Sequence, residues 1–387
     1  MPCPPRVLRT RPRRSPRTVA GGFGEAERSE RGVGAGEGPK GEANPPRVPI
    51  TIDRNLTAAV WPSMPGDVHV IRGSQRVTSE LGRPLRAPAV AIGNFDGVHL
   101  GHQALVATAQ RLAHVAGGES VVLTFDPHPA RFFAPKLAPP MLLTLERRLE
   151  LLAEAGADAA VVEPFTTDFA ALPADRFIAD VLRGDLDARQ VVVGRDFTFG
   201  AGRQGNATML GSEGARLHMG VSIVAPVVVA GLVCSSTKIR EFILEGRVEG
   251  AALLLGRPFE ISGRVVHGVE RGRTLGIPTA NLDPEADLVP KPGVYAARAC
   301  RVDDGPPLRL RAAVSVGSNP TFTVQARGVV PAVTVEAHLL DFEGDLYGAR
   351  LRLEFAGRIR DQRRFSSADE LVAEIRRDIL RTREILP

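Results

Sequence analysis

Tryptophan occurs once in the 387 residues, tyrosine twice and cysteine only three times. Cys3, Cys234 and Cys300 are far apart and form no C-x-x-C pair, which excludes a disulfide framework and a structural zinc site. A reducing compartment fits, and the cytoplasm is the expected location. Long hydrophobic runs are also missing. The longest nearly apolar stretch, Val221 to Cys234, is interrupted by Ser222, Pro226 and Gly231 and is too short to span a bilayer, so no membrane partner is expected.

Excess charge is confined to one end. Residues 1–63 hold 11 Lys or Arg against 6 Asp or Glu, which accounts for the whole net charge of +5, while the remainder holds 38 of each sign. The body of the chain lacks the basic footprint that nucleic acid requires, and no nucleic-acid partner is expected. Residues 1–65 are rich in Pro, Gly and Arg and poor in periodic apolar positions, the composition of a disordered extension. Glu25, Glu27 and Glu30 argue against a targeting leader. Met64, just ahead of the strand-like Val68 to Ile71, is a candidate alternative start.

Two textures follow. Over residues 66–250 short apolar runs (Ala89 to Ile92, Val121 to Phe125, Ala159 to Val162, Gln190 to Val193, Val221 to Ala225) alternate with helix-like stretches at 102–116, 145–155, 173–183 and 237–246. That rhythm predicts a parallel α/β sheet covered on both faces, with ligands at the strands' C-terminal ends. Over residues 251–387 it gives way to alternating, glycine-punctuated runs, Glu260 to Val266, Gly293 to Ala299, Arg311 to Val316, Val333 to Leu339 and Arg350 to Phe355. These predict a closed antiparallel β-barrel. A terminal helix follows, opened by a Ser367/Glu370 capping box and docked through Leu371, Ile375 and Ile379.

The densest chemistry lies in GNFDGVHLGH, Gly93 to His102. A buried strand ends there and a helix begins, so backbone N–H groups at the helix start favour anions. His99 and His102 lie three apart, Gly97 and Gly101 permit close backbone approach, and Asn94 and Asp96 add an amide and a carboxylate. After the next strand, Asp126-Pro127-His128-Pro129 is either a plain turn or a presented carboxylate and imidazole. Gly194 to Asn206 brings Asp196, Phe197 and Phe199 into a glycine-rich loop suited to a flat ring and a phosphate chain. Gly200, Gly202 and Gly205 match the dinucleotide fingerprint, but no acidic residue follows at the required distance, so a Rossmann site is rejected. Ser235, Ser236 and Thr237 are helix caps or phosphate contacts, and Lys238 and Arg240 are either a solvated face or cations for a leaving pyrophosphate.

In the second half, Gly263 to Leu282 carries glycines that either turn barrel corners or wrap phosphates, Gly263, Gly268 and Gly276 among them. Thr279 and Asn281 supply neutral oxygens compatible with Mg²⁺ beside ATP. No Walker A string occurs. Glu336, an acid within an alternating strand, either faces solvent or takes the proton from an attacking hydroxyl.

Taken in order, GNFDGVHLGH, TFDPHP, VVGRDFTFGAGRQG and SSTKIR resemble the H-x-G-H nucleotidylyltransferase half of bacterial bifunctional riboflavin kinase/FAD synthetases. Gly276 to Asn281, NPTF (Asn319 to Phe322), VEAHLLDF and DLYG resemble the kinase half. The likeness covers about residues 66–387. It implies an N-terminal nucleotidylyltransferase-type α/β domain, a C-terminal riboflavin-kinase-like barrel with its helix, and synthesis of FMN and then FAD from riboflavin, ATP and Mg²⁺. By the resemblance His99 and His102 stabilise the ATP phosphates, while Asn94, Asp96, Gly101, Ser235, Ser236, Thr237 and Arg240 complete the nucleotide site. Asp126, His128, Asp196, Phe197 and Phe199 lie toward the flavin. Thr279 and Asn281 hold Mg-ATP, Asn319 lies nearby, and Glu336 is the general base for the ribityl hydroxyl. Downstream flavoproteins are candidate partners. Where the family commonly has Arg before the Ser-Ser-Thr string, this chain has Val233 and Cys234, so weak adenylyl transfer is one rival expectation. Another phosphate acceptor for that half is a second, and outside enzymes stand a flavin carrier or sensor without turnover and an RNA partner through the basic tail; the candidate catalytic groups in both halves speak against a pure binder.

Overall fold

The computed structural model describes residues 68–268, 276–318 and 333–387. Among them, six parallel strands form one sheet: β1 (His69–Arg72), β2 (Ala89–Ile92), β3 (Ser120–Asp126), β4 (Ala159–Pro164), β5 (Gln190–Gly194) and, later in the chain, β8 (Gly220–Val224). Two short hairpins interrupt or follow it, β6 (Thr198–Phe199) with β7 (Gly205–Asn206), and β9 (Val228–Val229) with β10 (Leu232–Val233). Helix α1 (Val77–Leu81) follows β1, α2 (Leu100–Val115) follows β2, and α3 (Pro129–Phe133) and α4 (Leu145–Glu154) follow β3. After β4 come α5 (Thr167–Ala170) and α6 (Ala174–Arg176), the latter continued by a π-helical segment, Phe177–Asp185. Helix α7 (Ala207–Arg216) precedes β8, and α8 (Ser236–Leu244) and α9 (Val248–Leu255) lead out of the sheet.

The strand order is β1-β4-β3-β2-β5-β8. The chain therefore leaves β2 toward β3 on one side and returns to β5 on the other, and the crevice between the loops after β2 and β5 is the place where an open sheet binds ligands. Alternate residues of the central strands feed two cores. Val90, Ile92, Val121, Leu123, Val191 and Val193 pack on the face covered by Phe177, Ile178 and Leu182. Ala89, Ala91, Val122 and Val192 pack on the other face, against Leu105 and Val106 of α2 and Leu151 and Leu152 of α4. Burial on both faces explains why these strands are continuous apolar runs.

The second half closes into an antiparallel barrel among the described residues, in the order β11-β12-β15-β14-β13-β16. Its strands are β11 (Phe259–Val266), β12 (Ala280–Pro284), β13 (Gly293–Arg301), β14 (Arg309–Ser318), β15 (Val333–Leu339) and β16 (Arg350–Arg360). Inward residues alternate along each strand, with small Ala297 and Ala312 paired across β13 and β14 beside the larger Tyr295 and Phe355. The same core takes in Ile239, Phe242 and Ile243 of α8 and Leu254 and Leu255 of α9, so these helices pack with the barrel interior.

Three local expectations differ from the structure. The segment around Asn281, read as glycine-rich loop, is strand β12, held by ladders to β11 and β15. Helix α7 was not expected, and the helix expected at 173–183 is a short α-turn followed by π geometry. In the C-terminal helix, Ala368–Ile385, Ser367 caps the Glu370 N–H as expected, but the fully buried positions are Glu374, Asp378 and Thr382, flanked by half-buried Leu371, Ile375 and Ile379. The reason is charge: Arg360, at the end of β16, donates to both Asp378 carboxylate oxygens at 2.9 and 2.7 Å, and a buried carboxylate needs such a partner.

Candidate active site

The loop from β2 to α2 is held in a strained path. Phe95, Gly97 and Val98 have φ of 51°, 89° and 38°, and the last is costly for a β-branched residue. A Cβ on Gly97 would stand 2.7 Å from the Leu142 side chain, and one on Gly101 3.0 Å from the His99 ring. These contacts explain both glycines. The path sets His99 as the N-cap of α2, its Nδ1 accepting the His102 N–H at 3.3 Å. With Nδ1 an acceptor, the neutral His99 ring carries its proton on Nε2. The two imidazoles stack at 3.7 Å between centroids, 17° from parallel, and Phe95 closes on His102 at 5.2 Å.

Both rings are neutral at physiological pH. Burial pushes His99 down to about 4, with the Arg257 and Arg240 cations acting in the same direction. His102 lies well below the usual imidazole range, through burial and then His99, Arg148 and Arg257. Its Nδ1 is buried without a hydrogen-bond partner among the described residues. His128 caps the Ala130 N–H at 3.1 Å, and burial, then Arg240, pushes it down to about 4.

The stacked pair borders a cavity of about 930 Å³ at the strand-order switch. Of the nucleotide-site residues expected from sequence, Asn94, Gly101, Ser235, Ser236 and Thr237 line it; of the flavin-site residues, His128, Asp196, Phe197 and Phe199 do. Phe197 and Phe199 stack with centroids 5.3 Å apart, and Phe125, Phe133 and Phe169 extend the aromatic wall. Asp126 is exposed and is not among the lining residues.

Asp96 and Arg240 also stand apart from the cavity lining, because they are paired with each other. The Arg240 guanidinium donates to the Asp96 carboxylate and, through Nε, to the Pro140 carbonyl at 2.8 Å, while Asp96 accepts the Leu142 N–H at 3.0 Å. This buried pair pins α8 and the segment before α4 to the loop. Two of the three hydroxyls have structural partners as well. Ser235 caps the Lys238 N–H at 3.2 Å, and Ser236 Oγ donates to the Asp96 carbonyl at 2.8 Å. Lys238 is paired with Glu241 at 2.7 Å. Val233 lies on the cavity wall and is 52% exposed, beside buried Cys234.

Sequence reasoning missed the cations that brace this site. Arg148 of α4 donates to the carbonyls of Asn94 and Phe125 at 2.9 and 3.3 Å, which fixes the ends of β2 and β3. Arg257, just after α9, donates to Gly97 and Val98 carbonyls at 2.8 and 3.2 Å. No local pattern marks either one, since each acts on the backbone of a distant segment.

In the barrel, Asn281 of β12 is the register partner of Glu336 of β15, which in turn is paired with Ser315 of β14. Directly opposite residues share a face with Cβ atoms about 5 Å apart. Glu336 alternates with buried Val335 and Ala337, so this face is the outer one, and Gln362 Nε2 reaches Ser315 Oγ at 3.3 Å beside it. A Cβ on Gly268 would overlap the Asn281 amide at 2.2 Å, and His267 stacks on Tyr347 at 3.8 Å. Thr279 precedes β12 and is half-buried, and Gly276 has φ of 72° with open space where a Cβ would be. Gly263 is inside β11, where a Cβ would stand 2.4 Å from the Asp283 carbonyl; close strand approach accounts for it. Asn319 lies outside the described residues.

Comparison with known proteins finds a family model in each half. The family model described as FAD synthetase matches residues 83–238, and that described as riboflavin kinase matches 255–386. A bifunctional riboflavin kinase/FMN adenylyltransferase of Escherichia coli is 38% identical over 81% of this chain and 97% of its own length, and one of Listeria monocytogenes is 37% identical over 76% and 91%. A crystal structure titled a macrolide-efflux protein, from Streptococcus pneumoniae, is 32% identical with a TM-score of 0.70, covering 82% of this chain and 99% of that one. Among the described residues no helix is long and apolar enough to cross a membrane. The chain belongs to the bifunctional riboflavin kinase/FMN adenylyltransferase family, and converts riboflavin to FMN and FMN to FAD.

Proposed function

We propose that residues 66–250 carry out adenylyl transfer and residues 251–387 phosphorylation, with the roles that follow. In the first site an FMN phosphate oxygen attacks the α-phosphorus of ATP, the new P–O bond forms as the bond to the β-phosphate bridge breaks, and pyrophosphate leaves. His99 and His102 act as neutral hydrogen-bond donors toward the charge that gathers on phosphorus, a role that fixed dipoles perform without reorganisation. Asn94 and Thr237 orient the nucleotide, and Ser235 and Ser236 hold the helix start against it. Phe197 and Phe199 receive the flavin ring, with Asp196 and His128 at its edge. Asp96 and Arg240 shape the loop from behind. The observation that carries this reading is the stacked, neutral histidine pair capping α2 on the wall of an aromatic cavity.

In the second site Glu336 accepts the proton of the ribityl 5'-hydroxyl as it attacks the γ-phosphorus, and ADP departs. Gly268 and Gly276 flank the phosphate chain. No group of three or more His, Cys, Asp or Glu capable of holding a metal occurs among the described residues. The donor set read from the sequence is the pair of neutral oxygens of Thr279 and Asn281, with the Asn281 amide against the bare Cα of Gly268. That set fits Mg²⁺, which takes few protein ligands and binds chiefly through phosphate and water. Bound there, Mg²⁺ would neutralise charge on the transferring phosphoryl group.

The protein would work in the cytoplasm and pass FAD to downstream flavoproteins. The test is chromatographic product analysis over time with riboflavin, ATP and Mg²⁺, and with EDTA in place of Mg²⁺. FMN that rises and then converts to FAD, with neither formed under EDTA, is the expected result. Phosphorylation persisting under EDTA would overturn the metal assignment.

A further inference from the structure

The segment joining the halves, Leu255-Gly256-Arg257, is wrapped around the histidine loop. Gly256 has φ of 72°, and a Cβ there would stand 2.7 Å from the Leu100 side chain, next to His99. Gln103 Nε2 donates to the Leu255 carbonyl at 3.0 Å and to the Val98 carbonyl at 2.9 Å. The Arg257 guanidinium takes that same Val98 carbonyl and its neighbour on Gly97. These are the two residues at positive φ that immediately precede His99. A planar fork that bridges successive carbonyls fixes their relative orientation, which one flexible ammonium cannot do.

Arg257 is also coupled to the barrel through charge. Its charge is coupled to Glu260 of β11, Arg352 of β16, and Arg147 and Glu154 of α4. Glu260 is itself buried, with Arg147 Nε at 2.5 Å and Arg352 Nε at 3.8 Å. The guanidinium thus holds the carbonyls of the histidine loop within the field of a barrel carboxylate, while its Nε is buried without a hydrogen-bond partner among the described residues.

We infer that Arg257 is a positioning residue for adenylyl transfer, supplied by the connection between the two halves, which holds Gly97 and Val98 so that His99 meets the nucleotide. The inference rests on the reading of His99 and His102 given above. It assigns Arg257 two separable contributions, the geometry of a two-pronged donor and a fixed positive charge behind the imidazoles. The groups that face the pair are Arg257 from the connection, Arg240 from α8 and Arg148 from α4, with Asp96 set against Arg240 and His102 against His99.

The test measures both activities of the full-length protein for Arg257→Lys and Arg257→Gln. In both variants kcat for FAD formation from FMN falls about 10- to 100-fold, the cost of a misplaced catalytic group, while riboflavin phosphorylation by the same preparation is unchanged. The pH profiles then separate the contributions. In Arg257→Gln the acidic limb of FAD formation moves to higher pH, because a cation that disfavours protonated His99 is gone; in Arg257→Lys kcat falls and the limb stays. Gln103→Leu, which removes the second tie to Val98, gives a smaller loss in the same direction. Unchanged FAD formation in both Arg257 variants overturns the inference, as does a parallel loss of phosphorylation, which would mean general unfolding. His99→Ala is run beside them: if it retains FAD formation, the reading of the histidine loop fails, and the inference with it.

Discussion

In the α/β half, the cavity is lined from strand ends, helix starts and the loops that join them, whereas in the barrel Asn281, Glu336 and Ser315 stand side by side on one rung across three neighbouring strands. The difference lies in what holds the residues still. A ladder fixes its side chains through hydrogen bonds that the strands make in any case. A loop with Phe95, Gly97 and Val98 at positive φ must be braced from outside. Arg148 braces its first carbonyl, Ser236 the middle one and Arg257 the last two. The loop leaves its backbone open to close approach and depends on residues remote in sequence; the ladder depends on its own strands.

The largest expected effects separate the two halves. Glu336→Gln should lower riboflavin phosphorylation by about 10²- to 10⁴-fold, the usual worth of a general base, and leave FAD formation from supplied FMN intact. His102→Ala should do the reverse, lowering FAD formation by about 10²- to 10³-fold with FMN production unchanged. Both are read by product chromatography with riboflavin or FMN as the starting flavin. Loss of both activities in either variant would break the division of labour.

Acid should act on the halves unequally. His99 titrates near 4 in the folded protein against 6.5 for an ordinary imidazole, so between those values the unfolded chain binds more protons and stability falls as pH drops. A shift of that size corresponds to on the order of 3 kcal/mol, complete only below pH 4, and His128 adds to it in the same direction. Hydrogen exchange across pH 7 to 4 should show α2 and the loops around it losing protection before the barrel strands. Simultaneous loss in both halves would mean that they unfold as one unit.

Much of this architecture was legible in the sequence because burial on both faces writes β2 to β5 as unbroken apolar runs, and because alternation writes β13 to β16 as strands. Strand β12 was not legible: Ala280-Asn281-Leu282-Asp283-Pro284 has poor strand propensity, and its conformation comes from the partners on either side. Helix α7 was hidden by Gly211 and Gly214, the latter placed where Val221 and the Met219 carbonyl leave no room for a Cβ. The histidine loop could be read because its chemistry is contiguous. The roles of Asp96 and Arg240 could not, since their motifs gave no sign that the two side chains are buried against each other. Gln103 and Arg257 were silent for a related reason: they act on backbone carbonyls, and a carbonyl has no sequence identity.

The smallest expected effect concerns the departure at Val233. This side chain is half exposed on the cavity wall, immediately before the Cys234-Ser235 entry to α8, so a longer residue can extend into the cleft without displacing the core. The cations whose charge acts on the histidines have other partners, Arg240 with Asp96, Arg148 with the Asn94 and Phe125 carbonyls, and Arg257 with the Gly97 and Val98 carbonyls. A mobile charge facing the cleft is what Val233→Arg would add. A solvent-exposed charge contact contributes about 1 kcal/mol or less, so the KM for ATP in FAD formation should fall by up to roughly fivefold, with phosphorylation unaffected. The gain should shrink as ionic strength rises, since a partly exposed charge is screened. An unchanged KM at low salt would show that the bracing arginines already supply the field this site needs, and that the loop half is complete without a cation at position 233.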